Sequence, residues 1–552
     1  MTTQHTNDVT RRAFVGLVSA TGMSLALAAC TTTTSAGSSS SSLILNAGGT
    51  ATGLTRVFNP FLATNAEVLG SGGMIYEPLI QVNPAKANDI IPWLAKSWTW
   101  SNQNKTLDIK LQPNVKWSDG KAFSADDVVF SYNLINKNPA LNLFGVYFET
   151  VTAVDPHTVR FTYSAPAEQD LVTNLGLSIV SQHKWANAGD PTKFEDPNPI
   201  GTGPFVLSTY SPQSYLLAKN DKYWQPGKPK IGGIRFTAYS DDTSYSNAII
   251  SGQLDWAGDY IPNVQKSYLD KNKNNRIFWP IVGTDGLITN NAVFPFNSLN
   301  IRKAVSLALD RKQIASSRGS QPATSPTGLP MPAFKDVLAP QYKNLVFKQD
   351  VAAATKLIEG EGFAKQSDGY YYKNGQQLAF TITIPSAYTD QVAPAQVIIS
   401  QMKDVGIKVA IDGVAVNDIN DLTESGKYQA SIGYPINNPV TAWQFYNWTM
   451  NPAWSKPVGQ VIASGQNINR FEDATAAKLF EQYPYASTAA EQQDIINQMQ
   501  EIFVEQVPWI VLFYWNLYGE WDASKATGFP TAENPYFSSQ PNAVVAVRLE
   551  PK

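Results

Sequence analysis

Three histidines and one cysteine are the obvious reactive groups in this 552-residue chain. They are too few and too scattered for most catalysis. His5 lies in an N-terminal leader-like stretch, and His157 and His183 stand alone. A histidine-based metalloprotease or nucleophile system therefore has no raw material. A resident nickel or haem would favour histidine ligands, which are scarce, so no metal and no cofactor is expected. The paired carboxylates Asp126-Asp127 could suggest a glycosidase. They follow Ser124-Ala125, however, and Ser-x-x-Asp before Val128-Val129-Phe130 reads as a helix capping box. Gly201-Thr202-Gly203-Pro204 lacks the Gly-Lys-Ser/Thr of a phosphate loop. The chain reads as a binder, not an enzyme.

The densest recognition chemistry lies in one loop. Residues 434–448 read Tyr-Pro-Ile-Asn-Asn-Pro-Val-Thr-Ala-Trp-Gln-Phe-Tyr-Asn-Trp. Aromatic faces stack on sugar rings, and carboxamides both donate to and accept from hydroxyls. Tyr434, Asn437, Asn438, Trp443, Phe445 and Trp448 are the candidate ligand contacts. The same aromatics could equally pack as core. No Asp or Glu occurs between Gly426 and Phe471.

Cys30 has a distinctive address. Arg11-Arg12 precede an apolar run from Ala13 to Ala29 that ends Leu-Ala-Ala-Cys. A basic start, a short apolar run and small residues before a cut make a secretory signal. The run is marginal for a membrane span, which needs about 20 residues. Leu27-Ala28-Ala29-Cys30 resembles the bacterial lipobox, which implies that Cys30 becomes a lipidated N-terminus. Thr10-Arg11-Arg12-Ala13-Phe14-Val15 resembles a twin-arginine export motif; general secretory export is the alternative. Residues 31–42 are nearly all Ser, Thr, Gly and Ala and read as a flexible tether. The expectation is a body held at the extracytoplasmic face of the membrane by its lipid anchor alone.

Composition narrows the partners. Hydrophobic residues make up 43%, enough for a core. At roughly 150 residues per domain, two or three lobes are expected. Net charge is −3 with no basic stripe, so nucleic acid is not a partner. With a single cysteine, a disulfide scaffold is excluded.

The elements that must position these groups read as α/β. Leu43-Ile44-Leu45 opens a strand, and 107–111 and 159–163 alternate with period two. A helix is expected over 124–136. Asn300 is expected to cap a helix carrying Ile301, Val305, Ala308 and Leu309, and Asp350 another that ends at Gly360 or Gly362. Strand 379–384, helix 394–405, Gly406 and strand 407–411 form a βαβ unit, hence parallel strands. Gln429 to Gly433 is a further strand. Thr488-Ala489-Ala490-Glu491 is a second capping box, and Trp509 to Tyr514 a buried strand.

Several ordered strings resemble family 5 of the bacterial extracellular solute-binding proteins, the peptide, nickel and oligosaccharide binders of ABC importers. They are Tyr76-Glu77-Pro78-Leu79, Ile91 to Trp98, Val115 to Gly120 with Phe123 to Val129, Pro199 to Phe205, Ile301 to Arg311, and Val405 to Val409. The resemblance implies a two-lobed periplasmic-binding-protein-like fold with an extra subdomain on one lobe. Carried over, 1–29 is the signal peptide, 30–42 the tether, 43–75, 200–290 and 516–552 lobe one, 76–199 the extra subdomain and 291–515 lobe two. The family works by lobe closure around a ligand, whose differential contacts shift the equilibrium. Trp256, Asp259 and Thr50 of lobe one are the candidate contacts facing the 434–448 loop. In the family's peptide binders that loop commonly carries an aspartate for the ligand's α-ammonium; here Asn437 and Asn438 stand instead, and a neutral amide bonds an ammonium less strongly, so a peptide with a free amino end is less favoured. The family points to a peptide or peptide-like solute, the loop to an oligosaccharide. A surface sensor or adhesion lipoprotein is a third reading. The expected partners are the small ligand and the permease subunits, with the chain itself a monomer.

Overall fold

The computed structural model describes residues 43–51, 53–63, 65–143, 145–433, 438–462 and 466–552. Cys30, the leader, the tether, Tyr434 and Asn437 lie outside them. No helix among the described residues is long and apolar enough to cross a membrane.

Lobe one is built on a four-stranded sheet in the order Ile44–Thr50, Gly233–Tyr239, Ser214–Lys219, Phe205–Tyr210. Its first two strands are parallel, so Thr50 and Tyr239 mark a shared carboxyl edge. The extra subdomain is a four-stranded antiparallel sheet (Ala95–Ser101, Thr106–Leu111, Thr158–Thr162, Thr150–Asp155) covered by the helix Ala125–Lys137. One continuous apolar core joins lobe one to this subdomain.

The family-like strings here are scaffold. Ser124 and Asp127 close the capping box, and Asp127 also accepts from Trp117 Nε1 at 3.2 Å and Gln182 N at 2.9 Å. The Pro199 to Phe205 turn needs its glycines: a Cβ on Gly201 would stand 1.8 Å from the Ile75 carbonyl oxygen, and one on Gly203 2.3 Å from that of Met74.

Lobe two carries a five-stranded sheet in the order Lys408–Val414, Ala379–Pro385, Ala430–Gly433, Ile281–Thr289, Ile510–Asn516. The first three strands are parallel, as the βαβ pattern predicts. Gly406 ends the intervening helix Thr389–Val405 in the left-handed region at φ +99°. Thr488 and Glu491 close the second capping box. Two expectations need correction. The first chain crossing lies before residue 290, because Ile281–Thr289 pairs inside the lobe-two sheet. The helix Leu299–Ala308 is capped by Ser298, whose Oγ accepts from Ile301 N, while Asn300 donates to Glu361.

The two crossings run side by side. Phe278 N donates to the Gly519 carbonyl at 3.0 Å, Leu517 N to that of Pro280 at 3.0 Å, and Asn516 Nδ2 to that of Trp279 at 2.7 Å. Strand Ile281–Thr289 is antiparallel to Ala430–Gly433, so it starts at the carboxyl edge of the parallel strands. That edge therefore faces the hinge, where open α/β sheets place their ligands.

Candidate functional site

At the carboxyl edge of its sheet, beside the crossings, lobe two supplies a charged cluster. Asp285 lies on the strand just after the first crossing and is 1% exposed. Arg318 ends a helix, Arg311–Arg318, that Asp310 caps and Gly319 terminates at φ +74°. Its Nη1 donates to Asp285 Oδ2, its Nη2 meets Asp390 Oδ2 at 3.0 Å, and its guanidinium lies 4.8 Å from the Phe513 ring centre. Asp390 sits in the first turn of Thr389–Val405, beyond the carboxyl end of Ala379–Pro385. Asp285 Oδ1 is buried and has no hydrogen-bond partner among the described residues. Burial raises the Asp285 carboxyl above the usual range, and Arg318 pulls it the other way.

Lobe one answers with rings and acids. Tyr260, Trp279 and Tyr518 pack together, with centroids 5.0 Å apart for Trp279–Tyr518 and 5.5 Å for Tyr260–Tyr518. Tyr518 lies in the field of both Asp285 and Asp259, so the cluster spans the lobes. A Cβ on Gly319 would stand 2.1 Å from the Tyr260 hydroxyl. Below the rings, Glu520 is fully buried, accepting from Trp279 Nε1 at 2.5 Å and Asp259 N at 3.1 Å. Burial, with the nearby Asp259 charge adding to it, pushes its carboxyl up to about 8.

The sequence-predicted residues divide. Thr50 sits at the carboxyl edge of lobe one and donates to Asp242 at 2.8 Å. Asp259 accepts from Ser246 Oγ at 2.6 Å, beside Tyr260. Trp256 is wholly buried, donates to the Ser539 carbonyl and packs on Phe529, so it holds lobe one together rather than facing the crevice. Phe445 is 1% exposed against Phe503 and Trp509, a core position in lobe two. Asn438 adopts φ +49°, and its Oδ1 is buried without a partner among the described residues.

Trp443 and Trp448 lie on the helix Ala442–Met450, whose cap Thr441 accepts from Gln444 N. Trp443 stacks on Tyr483 at 4.3 Å and 14°. Both tryptophans face the extra subdomain. There, Asn88 N donates to the Val440 carbonyl at 2.8 Å and Ala87 N to that of Ala333 at 3.3 Å. A crevice of about 320 Å³ lies at this seam, between Glu168, Gln169 and Val172 on one side and Trp443, Tyr483 and Gln492 on the other.

Asp285, Arg318, Asp390, Tyr260, Tyr518 and Tyr483 were not singled out by sequence reasoning. One signal was available for Asp285: it is the lone charge in the otherwise uncharged run 281–289.

The family model for bacterial extracellular solute-binding proteins, family 5 (middle region), matches residues 89–457. Among curated relatives, the glutathione-binding protein GsiB of Shigella flexneri serotype 5b is 26% identical over 437 residues, covering 76% of this chain and 79% of that one. The periplasmic oligopeptide-binding protein of Thermotoga maritima superposes with a TM-score of 0.82 at 22% identity, over 92% of this chain and 99% of the other. Its mannohexaose-bound structure gives 0.73 at 23% identity, over 92% and 98%. NikA of Brucella suis in complex with Fe(III)-EDTA gives 0.75 at 20% identity, over 92% and 100%. The chain belongs to family 5 of the bacterial extracellular solute-binding proteins, the substrate-binding components of ABC importers.

Proposed function

We propose that this protein captures a peptide or peptide-like solute with a free amino group in the interlobe crevice, and hands it unchanged to a permease. One observation carries the reading: a buried carboxylate, Asp285, keeps one oxygen without a hydrogen-bond partner among the described residues, beside the hinge. Buried polar groups are otherwise almost always satisfied, so an orphan beside a cleft reads as a socket for a donor. An ammonium supplies three N–H donors and a charge that matches the acidic surplus of Asp285 and Asp390 over Arg318. The loop 434–448 lacks an acid, and in this reading Asp285 takes that role from a different strand.

Closure follows from differential contact. A ligand bonded to Asp285 and touching Tyr260 and Asp259 gains both walls only when the lobes approach. A micromolar site is worth about 8 kcal/mol, enough to favour a closed form a few kcal/mol uphill. The extracytoplasmic body is held to the membrane through a diacylglycerol thioether on Cys30 in the same reading. The test is calorimetric: purified protein titrated with di- to pentapeptides and with their N-acetylated forms. Free peptides are expected to bind at least tenfold tighter. Equal affinities for the acetylated and free forms would remove the ammonium from the reading.

A further inference from the structure

Two of the aromatics that suggested a sugar in the sequence, Trp443 and Trp448, border the extra subdomain rather than the hinge cluster. Trp443 is 6% exposed, yet its indole Nε1 is buried with no hydrogen-bond partner among the described residues. A buried donor left unmade costs roughly 1–3 kcal/mol, so it needs an explanation. The indole borders the crevice of about 320 Å³ and a smaller void of about 20 Å³ beside it. Pockets that hold small ligands begin near ~300 Å³. Across the gap, Glu168 is fixed by Asn104 Nδ2 at 2.7 Å, and Gln169 by the Pro166 carbonyl at 3.0 Å. The Tyr483 hydroxyl is pushed up to about 12 by burial and by the Glu168 charge facing it. The Gln492 carboxamide makes no hydrogen bond among the described residues, so it is free to serve a guest.

We propose that this seam is a second binding site, taking a neutral polyhydroxylated molecule of disaccharide size. The unmade indole N–H donates to a ligand hydroxyl, Gln492 both donates and accepts, and Gln169, whose N–H groups already serve the Pro166 carbonyl and Asp170, accepts through its carbonyl oxygen. Glu168 accepts hydrogen bonds from ligand hydroxyls without requiring a cation. The walls belong to two bodies, so a guest here also bridges the subdomain to lobe two. This site is separate from the amino-group socket at Asp285.

The test uses neutral disaccharides (cellobiose, mannobiose, maltose) with calorimetry and indole fluorescence on the purified protein. At least one is expected to bind saturably, with affinity unchanged by Asp285→Asn. Trp443→Phe keeps the ring and removes the N–H, and is expected to weaken binding about tenfold. Gln492→Ala, on a half-exposed helical position, is expected to weaken it about threefold and guards against a packing defect in the first variant. The proposal is overturned by no saturable binding of any of the three. It is also overturned by binding that is lost in Asp285→Asn but unchanged in both seam variants.

Discussion

Glu77 at the start of the extra subdomain and Asp285 in lobe two are both buried carboxylates, and the fold treats them in opposite ways. Glu77 comes from the family-like Tyr-Glu-Pro-Leu string. Its Oε1 accepts from Trp93 Nε1 at 2.7 Å and Tyr223 Oη at 2.9 Å, and its Oε2 accepts from Trp224 Nε1 at 3.0 Å. Both oxygens are satisfied, and burial holds the carboxyl near 7. Asp285 has one oxygen on Arg318 and the other on nothing among the described residues. A closed network rigidifies, whereas an open one leaves a place for something that comes and goes. The first acid ties the subdomain to lobe one, and the second stands just past the first crossing between the lobes.

The largest expected effect breaks the closed network. Glu77→Ala leaves two indole N–H groups and a phenol unpartnered in the core, and should destabilise by about 3 kcal/mol or more. Urea denaturation would measure this, with peptide affinity unchanged in protein that remains folded. A variant as stable as the parent would remove the scaffold role assigned to Glu77.

The open network gives the opposite signature. Asp285→Asn should lower affinity for a free-amino peptide about tenfold to a hundredfold, or about 1.4–2.8 kcal/mol. Its melting temperature should move far less than that of Glu77→Ala, because Arg318 keeps Asp390. A large stability loss with unchanged affinity would make the two acids the same kind of residue.

The contrast also explains what the sequence discloses. Local rules set the elements: Ser124 and Thr488 cap where the boxes predict, and the parallel pairing of 379–385 with 408–414 follows from a helix placed between them. The hinge crossing was misplaced because Ile281–Thr289, an apolar run, reads the same in either lobe; its partners 430–433 and 510–516 are far along the chain. The site was less legible for the same reason. Asp285, Arg318 and Asp390 meet only through tertiary packing. Trp256 and Phe445 looked available for a ligand, but an aromatic side chain announces burial without saying against what.

A pH experiment sharpens the comparison at the hinge. Glu520 rises from 4.5 unfolded to about 8 folded. The folded state then holds a proton that the unfolded state releases between those values, so stability falls as pH rises through this window and is flat beyond it. Glu77, at about 7, contributes in the same direction but is spent by the upper end. The melting temperature should drop between pH 6 and 8.5. Glu520→Gln should flatten the part above pH 7, while Asp285→Asn should leave it in place. An unchanged slope in Glu520→Gln would assign the titration to another group.

The smallest effect concerns the third member of the charged cluster. The Asp390 side chain is 53% exposed, so its pairing with Arg318 is screened by solvent and salt. Asp390→Ala should weaken peptide binding only about twofold to threefold, and added salt should erase the difference. Asp285→Asn should keep most of its defect at high salt, because its charge lies inside the protein. If the two variants lost affinity equally and with equal salt dependence, the acid that receives the amino group would be an exposed surface charge. The unpartnered oxygen of Asp285 would then need another explanation.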